Sequence, residues 1–309
     1  MTILPPDPDE PRRPLGPLNP GDAWVVAPTG EKYWGRFGAA GLLAFDAERG
    51  VLLQHRVGWS HFGGTWGLPG GALHEGESPH DGALREAQEE AGVPDGALRV
   101  RFSSLLDLKI WSYTTVVADV LVPFEPVISD PESLALEWVP VGEVDQRPLH
   151  PGFAAAWPQL RELLQVRPTV VVDAANVVGS VPDGWWKDRA GAAGRLRARL
   201  AQWSSAGVAA EKLDLAADRW YPSVSLVVEG AARELADADA DADERRAGQV
   251  LVVRAEGHGD DAIVAEASRR RDAGDLVLAV TSDRELRARL EQLGVTVHGA
   301  SWLTDQLPG

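Results

Sequence analysis

Apolar residues follow two different patterns along the chain. Over residues 24–144 they form short runs rich in Val and Leu, broken by Gly and Asp, which predict the strands of a small sheet. From residue 169 onward, continuous Val/Leu runs alternate with helical segments. That alternation is typical of a parallel sheet covered by helices on both faces. The sequence therefore predicts two successive α/β domains.

One helix in the first half has clear predicted ends. Ser78 is a preferred N-cap residue, Pro79 suits the first helical position, and Asp81 follows three residues after the cap. Gly92 and Pro94 mark the far end. These signals predict a helix of about three turns.

Proline and low-complexity segments set the expected domain boundaries. Residues 1–20 hold seven prolines among charged residues, a composition that predicts a disordered arm. We expect one domain over residues 21–145, a linker with a short helix (Ala154 to Leu164) over residues 146–167, and a second domain over residues 168–309. The Ala-Asp tract from Leu235 to Gly248 predicts a solvated loop.

Charge and composition exclude several classes of function and site for this protein. The net charge of −16 argues against broad electrostatic attraction to nucleic acid, so any nucleotide or RNA substrate needs metal ions or a local basic patch. The chain has no cysteine, which excludes disulfides and thiolate sites. No apolar run approaches the ~20 residues that cross a bilayer, so we expect a cytoplasmic protein without a membrane partner. The sequence leaves the oligomeric state open.

Three glutamates on the predicted helix form the first candidate functional site. Glu86, Glu89 and Glu90 lie three and four residues apart, so their carboxylates share one helix face. Like charges at this spacing repel each other by roughly 0.2–0.5 kcal/mol per pair. A hard divalent cation such as Mg²⁺ or Mn²⁺, completed by substrate phosphates, would relieve that repulsion.

The surrounding residues resemble the Nudix box, GX5EX7REUXEEXGU. The matching fixed positions are Gly71, Glu77, Arg85, Glu86, Glu89, Glu90 and Gly92, with Val93 at the last apolar place. The resemblance implies an α/β/α sandwich on a mixed sheet, and hydrolysis of a nucleoside diphosphate linked to another group. It further implies that the Gly71 carbonyl and the three helix glutamates bind the metal, that one glutamate acts as base, and that Glu77 pairs with Arg85.

Other features bear on the substrate of this site. The run TWGLPGGALHEGE resembles MutT-type enzymes that act on nucleoside triphosphates, including oxidised ones; ADP-ribose and dinucleoside polyphosphates remain alternatives. Glu132 is a candidate distal ligand or general base, with an ordinary loop acid as the alternative. Trp59, Phe62 and Trp66 lie in a Gly-rich loop, where they either stack on a base or pack beneath the loop.

Acidic residues follow several strands of the second half. Asp173, Glu229 and Asp283 each come directly after or close to a strand end, and Asp260 with Asp261 opens a helix. Ligands of open parallel sheets collect at such ends. The segments VVVDAANVVG, VVEGAAR, GHGDDAIVAEA and VTSDREL resemble a PIN-like nuclease domain of the NYN type. The resemblance implies cleavage of RNA with Mg²⁺ or Mn²⁺ held by Asp173, Asp260 or Asp261, and Asp283, with Asn176 orienting the site and Glu229 as a further candidate.

The segment GWWKDRAG adds aromatic and basic residues to the second half. Trp185, Trp186, Lys187 and Arg189 either contact RNA bases and phosphates or form a packing loop. Arginines on two helices either add a basic strip or remain solvated: Arg195, Arg197, Arg199, Arg269, Arg270 and Arg271.

Three functions stay open at this stage. The favoured one is a Nudix pyrophosphohydrolase fused to an RNA-acting domain. The second is a metal-dependent ribonuclease whose Nudix half senses or processes a nucleotide such as ADP-ribose. The third makes the second domain a non-catalytic binding or dimerisation module.

Overall fold

The computed structural model describes residues 1–4, 20–180, 185–236 and 250–308. The chain divides into two compact units: Met1–Leu163 with Ala216–Asp218, and Leu164–Leu215 with Arg219–Gly309. Most of the expected Pro-rich arm and of the Ala-Asp tract falls outside the described residues. Across the described ranges, no helix combines the length and apolar character needed to cross a membrane.

The first unit contains a mixed sheet. Its strand order is β10-β5-β4-β9-β8; β4 and β9 run parallel and the other neighbours antiparallel. The short strands β6 and β7 pair with β5 and β4. The bounds are β4 Ala39–Asp46, β5 Gly50–Arg56, β6 Trp66–Gly67, β7 Gly70–Ala72, β8 Leu98–Asp107, β9 Ser112–Val120 and β10 Ser133–Val139, followed by a 3-10 helix, Val141–Gln146.

A small antiparallel sheet also belongs to this unit, formed by β1 Thr2–Leu4, β2 Trp24–Val26 and β3 Lys32–Trp34. The strand β1 corrects the expectation that residues 1–20 are disordered throughout. Residues 2–4 precede the first proline, so their N–H groups are free to pair, and Ile3 lies opposite Val25.

Helix α1, Pro79–Ala91, begins and ends as the sequence predicts. The Ser78 side chain accepts a hydrogen bond from the Asp81 N–H, and Gly92 ends the helix in the left-handed region at φ 63°. The face formed by Ala83, Ala87 and Ala91 is fully buried, and the helix packs on β4, β7 and β9. Because alanine is small, this packing brings the backbone of α1 close to the strands.

Helix α2, Pro151–Leu163, begins three residues earlier than predicted and falls within the first unit rather than in a linker. It buries Phe153, Trp157, Leu160 and Leu163, which recur at helical spacing. The rings of Phe153 and Trp157 pack against each other, with centroids 5.6 Å apart. The prolines of this segment suggested an open linker and hid this apolar packing in the sequence.

The second unit contains a five-stranded parallel sheet with strand order β15-β14-β11-β16-β17. The bounds are β11 Pro168–Asp173, β14 Ser223–Val228, β15 Val250–Arg254, β16 Leu276–Val280 and β17 Thr296–His298. The short strands β12 Val208–Ala209 and β13 Arg219–Trp220 pair antiparallel with each other and do not belong to the parallel sheet. The chain moves outward from β11 to β15, then returns across to β16. Its topological switch point therefore lies between β11 and β16.

Helices connect these parallel strands, as the apolar pattern predicts. Their bounds are α3 Ala174–Gly179, α4 Arg189–Ala206, α5 Gly259–Asp272, α6 Arg284–Gln292 and α7 Ala300–Thr304, with 3-10 helices at Trp185–Lys187, Ala210–Leu213 and Gly230–Glu234. The core on one face joins strand residues Val171 and Ala279 to Ile263 and Leu286. The segment AANVVG forms helix α3 directly after β11, and the Asp173 side chain caps this helix by accepting a hydrogen bond from the Asn176 N–H.

Candidate active site

Two of the three glutamates on α1 are buried by the sheet. Glu90 is 1% exposed and Glu86 is 5% exposed, whereas the side chain of Glu89 remains 45% exposed. The Oε2 atom of Glu90 accepts a hydrogen bond from the Gly70 N–H at 2.9 Å. Helix α1 therefore holds two carboxylates against the strand β7 and leaves the third partly exposed to solvent.

Arg85 links these carboxylates to the loop before the helix. Its Nε and Nη2 atoms donate to the two carboxylate oxygens of Glu77 at 2.8 and 2.9 Å, a bidentate pair. Its Nη1 atom donates to Glu86 at 2.7 Å and reaches Glu89 at 3.4 Å. The hydrogen bonds from Arg85 lower the pKa of Glu77, and those to Glu77 raise the pKa of Arg85. The ion pair expected from the motif is present and fixes the Glu86 carboxylate.

Because Gly71 has no side chain, there is room beside it for the carboxylate of Glu86. A Cβ atom at this position would lie 2.8 Å from the carboxyl carbon and 2.8–2.9 Å from both oxygens. Any side chain would therefore displace Glu86. Glycine is therefore needed at position 71 to leave space for the Glu86 carboxylate.

The residues fit a hard divalent cation by their chemistry. Within residues 1–4, 20–180, 185–236 and 250–308, no three His, Asp or Glu side chains are already grouped to hold a metal ion together. Arg85 instead supplies the positive charge beside Glu86 and Glu89. The donors are all oxygen atoms, and the missing side chain at Gly71 lets the carboxylate of Glu86 lie close to the backbone of β7. Because Glu89 is partly exposed, it has room to turn toward the other two carboxylates.

A cationic side chain, Arg56, lies near this acidic cluster and was missed by the sequence analysis. The Arg56 Nε atom is buried without a hydrogen-bond partner, and its guanidinium makes no ion pair within the described part of the chain. Tyr113 lies within the electrostatic reach of Arg56, Glu90 and Glu86, and burial raises the pKa of its hydroxyl to about 12. A neutral phenol thus lies near both the acids and the arginine.

Two histidines near Arg56 are also uncharged at neutral pH. Burial, followed by repulsion from Arg56, lowers the pKa of His150 to about 4 and lowers the pKa of His61. The rings of His61 and His150 both contact Phe62, with centroids 4.2 and 4.8 Å away. A half-buried arginine among neutral groups is available for an anionic ligand. No motif or spacing in the sequence distinguishes Arg56 from other residues at the ends of strands.

The predicted aromatic contacts separate into exposed and buried residues. Trp59 and Phe62 are 44% and 46% exposed in the loop after β5. Trp66 is buried, and its ring stacks on His55 at 4.7 Å, so the packing alternative is correct for Trp66. The carbonyl oxygen of Glu132 accepts from the Val57 N–H at 2.9 Å, which places Glu132 beside the end of β5 that carries Arg56.

Comparison with known proteins identifies the first unit. Residues 35–163 match the profile of the NUDIX domain. Over 151 residues the chain is 50% identical to "Putative 8-oxo-dGTP diphosphatase 3" of Mycobacterium tuberculosis, covering 46% of this chain and 69% of that protein. The chain belongs to the Nudix family.

Further Nudix relatives cover the same region. A nucleoside triphosphate pyrophosphatase/Nudix hydrolase fusion protein of Bifidobacterium longum is 43% identical over 148 residues, which is 45% of this chain and 31% of that protein. The crystal structure of the Nudix hydrolase RenU from M. smegmatis is 46% identical, covers 47% of this chain and 95% of that chain, and superposes with a TM-score of 0.42. The Nudix unit is thus a hydrolase of nucleotide diphosphate-linked substrates, and enzymes of this family generally use Mg²⁺ or Mn²⁺.

The second unit, which follows the Nudix unit, gathers acids at the switch point of its sheet. Asp173, at the end of β11, accepts from the Thr281 hydroxyl at 2.9 Å, directly beyond β16. Burial raises the pKa of Asp173, and the charges of Asp260 and Glu229 raise it further, against the hydrogen bonds from Asn176 and Thr281. Burial and the nearby Asp283 likewise raise the pKa of Asp260. Four acids therefore face one another closely enough to interact.

Hydrogen bonds position the members of this acidic cluster. Asn176 accepts from the Ser282 N–H at 2.9 Å and so ties α3 to the end of β16. Glu229 accepts from the Gly259 N–H at 2.8 Å, and Asp283 caps α6. Asp261 instead pairs with Arg289 at 2.7 Å. The geometry accordingly favours Asp260 over Asp261 as the member that faces the other acids.

The aromatic and basic residues of the second unit fall into three groups. Trp185 and Arg189 line a cavity, whereas Trp186 is 58% exposed and Lys187 is also exposed. Most of the helix arginines make contacts within the fold: Arg269 and Arg270 bind the buried Glu266, and the main-chain partners of Arg197, Arg199 and Arg271 are Ala236, Pro308 and Leu293. These arginines stabilise the fold instead of forming a continuous basic surface.

Proposed function

We propose that the Nudix unit hydrolyses a nucleoside triphosphate in the manner of MutT-type housecleaning enzymes. The observation that carries the proposal is the carboxylate cluster of α1: Glu86 is fixed by Arg85 next to the side-chain-free Gly71, and Glu90 is fixed by the Gly70 N–H. No packing or capping role requires two buried carboxylates on one helix face. Their arrangement supports phosphate chemistry.

Each residue has a role in the proposed mechanism. Glu86, Glu89, Glu90 and the Gly71 carbonyl would hold Mg²⁺ or Mn²⁺, which when bound neutralises charge on the phosphate oxygens. Arg85 keeps Glu86 in place through the bond at 2.7 Å. One of the helix glutamates or Glu132 takes the proton of the attacking water as a P–O bond forms and the bridging P–O bond breaks.

Arg56 completes the proposed substrate site. Its unpaired guanidinium, surrounded by the neutral Tyr113, His61 and His150, is suited to a phosphate oxygen of the bound nucleotide. If those three groups carried charge, they would compete with the substrate or repel Arg56. Their shifted pKa values keep the surroundings neutral over the physiological range.

The substrate class follows from the relatives and stays a proposal. The relative that is 50% identical carries the name of an 8-oxo-dGTP diphosphatase, which supports oxidised dGTP as the leading substrate. ADP-ribose and dinucleoside polyphosphates are the alternatives, because the carboxylate cluster recognises the diphosphate and other loops recognise the remainder. The exposed Trp59 and Phe62 supply aromatic surface for a base near Arg56.

The test compares hydrolysis of 8-oxo-dGTP, dGTP, ADP-ribose and a dinucleoside tetraphosphate by the full chain with Mg²⁺ or Mn²⁺. We expect Glu89→Gln and Glu90→Gln to reduce kcat by at least about 100-fold, whereas the exposed acid Glu143 changed to Gln serves as a control with normal activity. Retention of hydrolysis by both site variants would refute the assignment. Preference for ADP-ribose over the triphosphates would replace the proposed substrate.

A second candidate function concerns the second unit. We propose that its acids, at the switch point between β11 and β16, support metal-dependent cleavage of RNA, as its resemblance to PIN-like domains of the NYN type implies. The supporting observation is that Asp173 accepts a hydrogen bond from Thr281 at the end of β16, while burial and the charges of neighbouring acids raise the pKa values of Asp173 and Asp260. A divalent ion held by Asp173, Asp260 and Asp283 would relieve this mutual repulsion and activate water.

Asp173→Asn tests this second function, because asparagine caps α3 as well as aspartate does. We expect the variant to lose Mn²⁺-dependent cleavage of single-stranded and structured RNA, while Asp272→Asn, at the exposed end of α5, cleaves normally. Calorimetry with Mn²⁺ in a Glu89→Gln background gives a second measurement. If wild type and Asp173→Asn show the same RNA products and the same metal uptake, a non-catalytic binding or dimerisation module is the better description.

A further inference from the structure

A cavity of about 470 Å³ opens beside the acidic cluster of the second unit. Its wall includes Ala174, which follows Asp173 in the chain, and Glu229, which belongs to the cluster. Its volume falls within the range of small-molecule pockets, roughly 300–1,000 Å³. The cavity is therefore both large enough for a ligand and adjacent to the carboxylates.

Two arginines, Arg189 and Arg233, join Glu229 in the polar part of the cavity wall. Arg189 makes no ion pair among the described residues, and its guanidinium carbon lies 5.6 Å from the centre of the Trp185 ring. Arg233 is held by main-chain carbonyls: its Nε donates to Gly230 at 3.2 Å and its Nη1 to Ala255 at 3.2 Å. Among the residues that the structure describes, no carboxylate forms an ion pair with either guanidinium. Two positive charges thus remain available in a chain whose net charge is −16.

Gly230 brings the two arginines to one place. The residue adopts φ +53°, in the left-handed region, and a Cβ atom there would lie 4.0 Å from Nη1 of Arg189. The main-chain oxygen of the same glycine anchors Arg233. An anion bound over Gly230 would meet one flexible and one fixed guanidinium, the arrangement by which arginines recognise a phosphate.

The remaining wall is apolar. Trp185 offers an indole, and Ala175, Val178 and Ala193 contribute only small aliphatic groups. Stacking on an aromatic ring is how proteins hold bases with little sequence preference. Glu229 uses its Oε2 atom to accept the Gly259 N–H, so its other oxygen can accept from a sugar hydroxyl or a base N–H.

From these observations we infer that the cavity binds a nucleoside phosphate, with the base on Trp185 and the phosphate between Arg189 and Arg233. The ligand has two sources, a free mononucleotide or one nucleotide of an RNA strand. This inference does not depend on hydrolysis by the Nudix unit, and it deepens the second candidate function by naming the group that lies next to the carboxylates. Binding without cleavage would therefore support the cavity and contradict only the nuclease.

Isothermal titration of the full chain in EDTA with the four nucleoside 5′-monophosphates, the matching nucleosides and a five-residue single-stranded RNA tests the inference. We expect Arg189→Gln to bind monophosphates roughly tenfold more weakly while leaving the affinity for nucleosides unchanged. Trp185→Ala should weaken both ligand classes by roughly fivefold or more, and Trp185→Phe should restore most of the loss. Lys212→Gln, which removes an exposed charge outside the cavity, is the matched control.

Ala175→Leu tests the cavity without removing a charge or a ring. Ala175 is exposed on α3 and lines the cavity, so leucine fills the space while the helix remains intact. It should abolish binding of both ligand classes. Tighter binding of the RNA than of monophosphates identifies an RNA strand as the source; equal affinity identifies the free nucleotide. Absence of binding at millimolar concentrations, or wild-type affinity in both Arg189→Gln and Ala175→Leu, would overturn the inference.

Discussion

Replacing Gly71 with alanine should slow nucleotide hydrolysis without unfolding the Nudix unit. The new Cβ would lie 2.8 Å from the carboxyl carbon of Glu86. To reach an ordinary contact of 3.4 Å, that carboxylate must retreat by about 0.6 Å in a close-packed site. Glu86 is only 5% exposed, so it has little room to turn toward solvent.

The displacement acts on the bond between Glu86 and Arg85. That bond measures 2.7 Å, and a shift of this size stretches it beyond normal hydrogen-bond length. Misplacement of a catalytic group by ~1 Å costs about 100-fold in rate, so we expect kcat to fall between roughly 10-fold and 100-fold. The affinity for Mn²⁺ should fall with it, because the same carboxylate is a proposed ligand.

The assay measures kcat and KM with 8-oxo-dGTP and dGTP, Mn²⁺ binding by calorimetry, and thermal unfolding as a check on the fold. Gly142→Ala is the matched control, because a Cβ there has no heavy atom within 4 Å and its φ is not in the left-handed region. A Gly71→Ala enzyme with the kcat and Mn²⁺ affinity of the wild type would show that the Glu86 carboxylate does not need its observed position.

Two further predictions test other parts of the molecule. Arg56→Gln should raise KM for nucleotides about tenfold with little change in Mn²⁺ affinity, because the proposed role of its guanidinium is to bind a phosphate and not the metal; an unchanged KM would remove Arg56 from the site. Glu266→Gln should destabilise the second unit by about 2 kcal/mol, measured as faster hydrogen exchange in β11 and β14, because Ser225, Arg269 and Arg270 all donate to this buried carboxylate. Burial opposes the charge, but these hydrogen bonds lower the pKa of Glu266 below 4.5, so its stabilisation should be present above pH 4.5 and lost as the pH falls through the lower folded pKa. Equal acid sensitivity in wild type and Glu266→Gln would contradict this account.

Local sequence signals predicted the helix of the active site well. Ser78, Pro79 and Gly92 each act through backbone geometry within a few residues, so their effect is readable without tertiary structure. The alternation of strands and helices predicted the parallel sheet of the second unit for the same reason. The linker failed as a prediction because its prolines suggested an open segment, whereas Phe153 and Trp157 pack together within α2.

Long-range contacts decided what the sequence left open. The spacing of Glu86, Glu89 and Glu90 follows from the helix alone, but the burial of Glu86 and Glu90 depends on strands that the chain forms elsewhere. Likewise, Trp59, Phe62 and Trp66 look equivalent in the sequence, and only packing on His55 buries Trp66.

The sequence by itself determined the Nudix family, the helix with its three glutamates and the presence of a second α/β unit. Only the tertiary structure decided that Gly71 is needed for space beside Glu86, that Asp261 pairs with Arg289, and that the Nε atom of Arg56 has no hydrogen-bond partner in the described part of the chain. The physical reason is the distance along the chain over which each effect acts. Helix periodicity and caps act over a few neighbouring residues, whereas burial, steric space and charge pairing depend on residues that are brought together from distant parts of the chain.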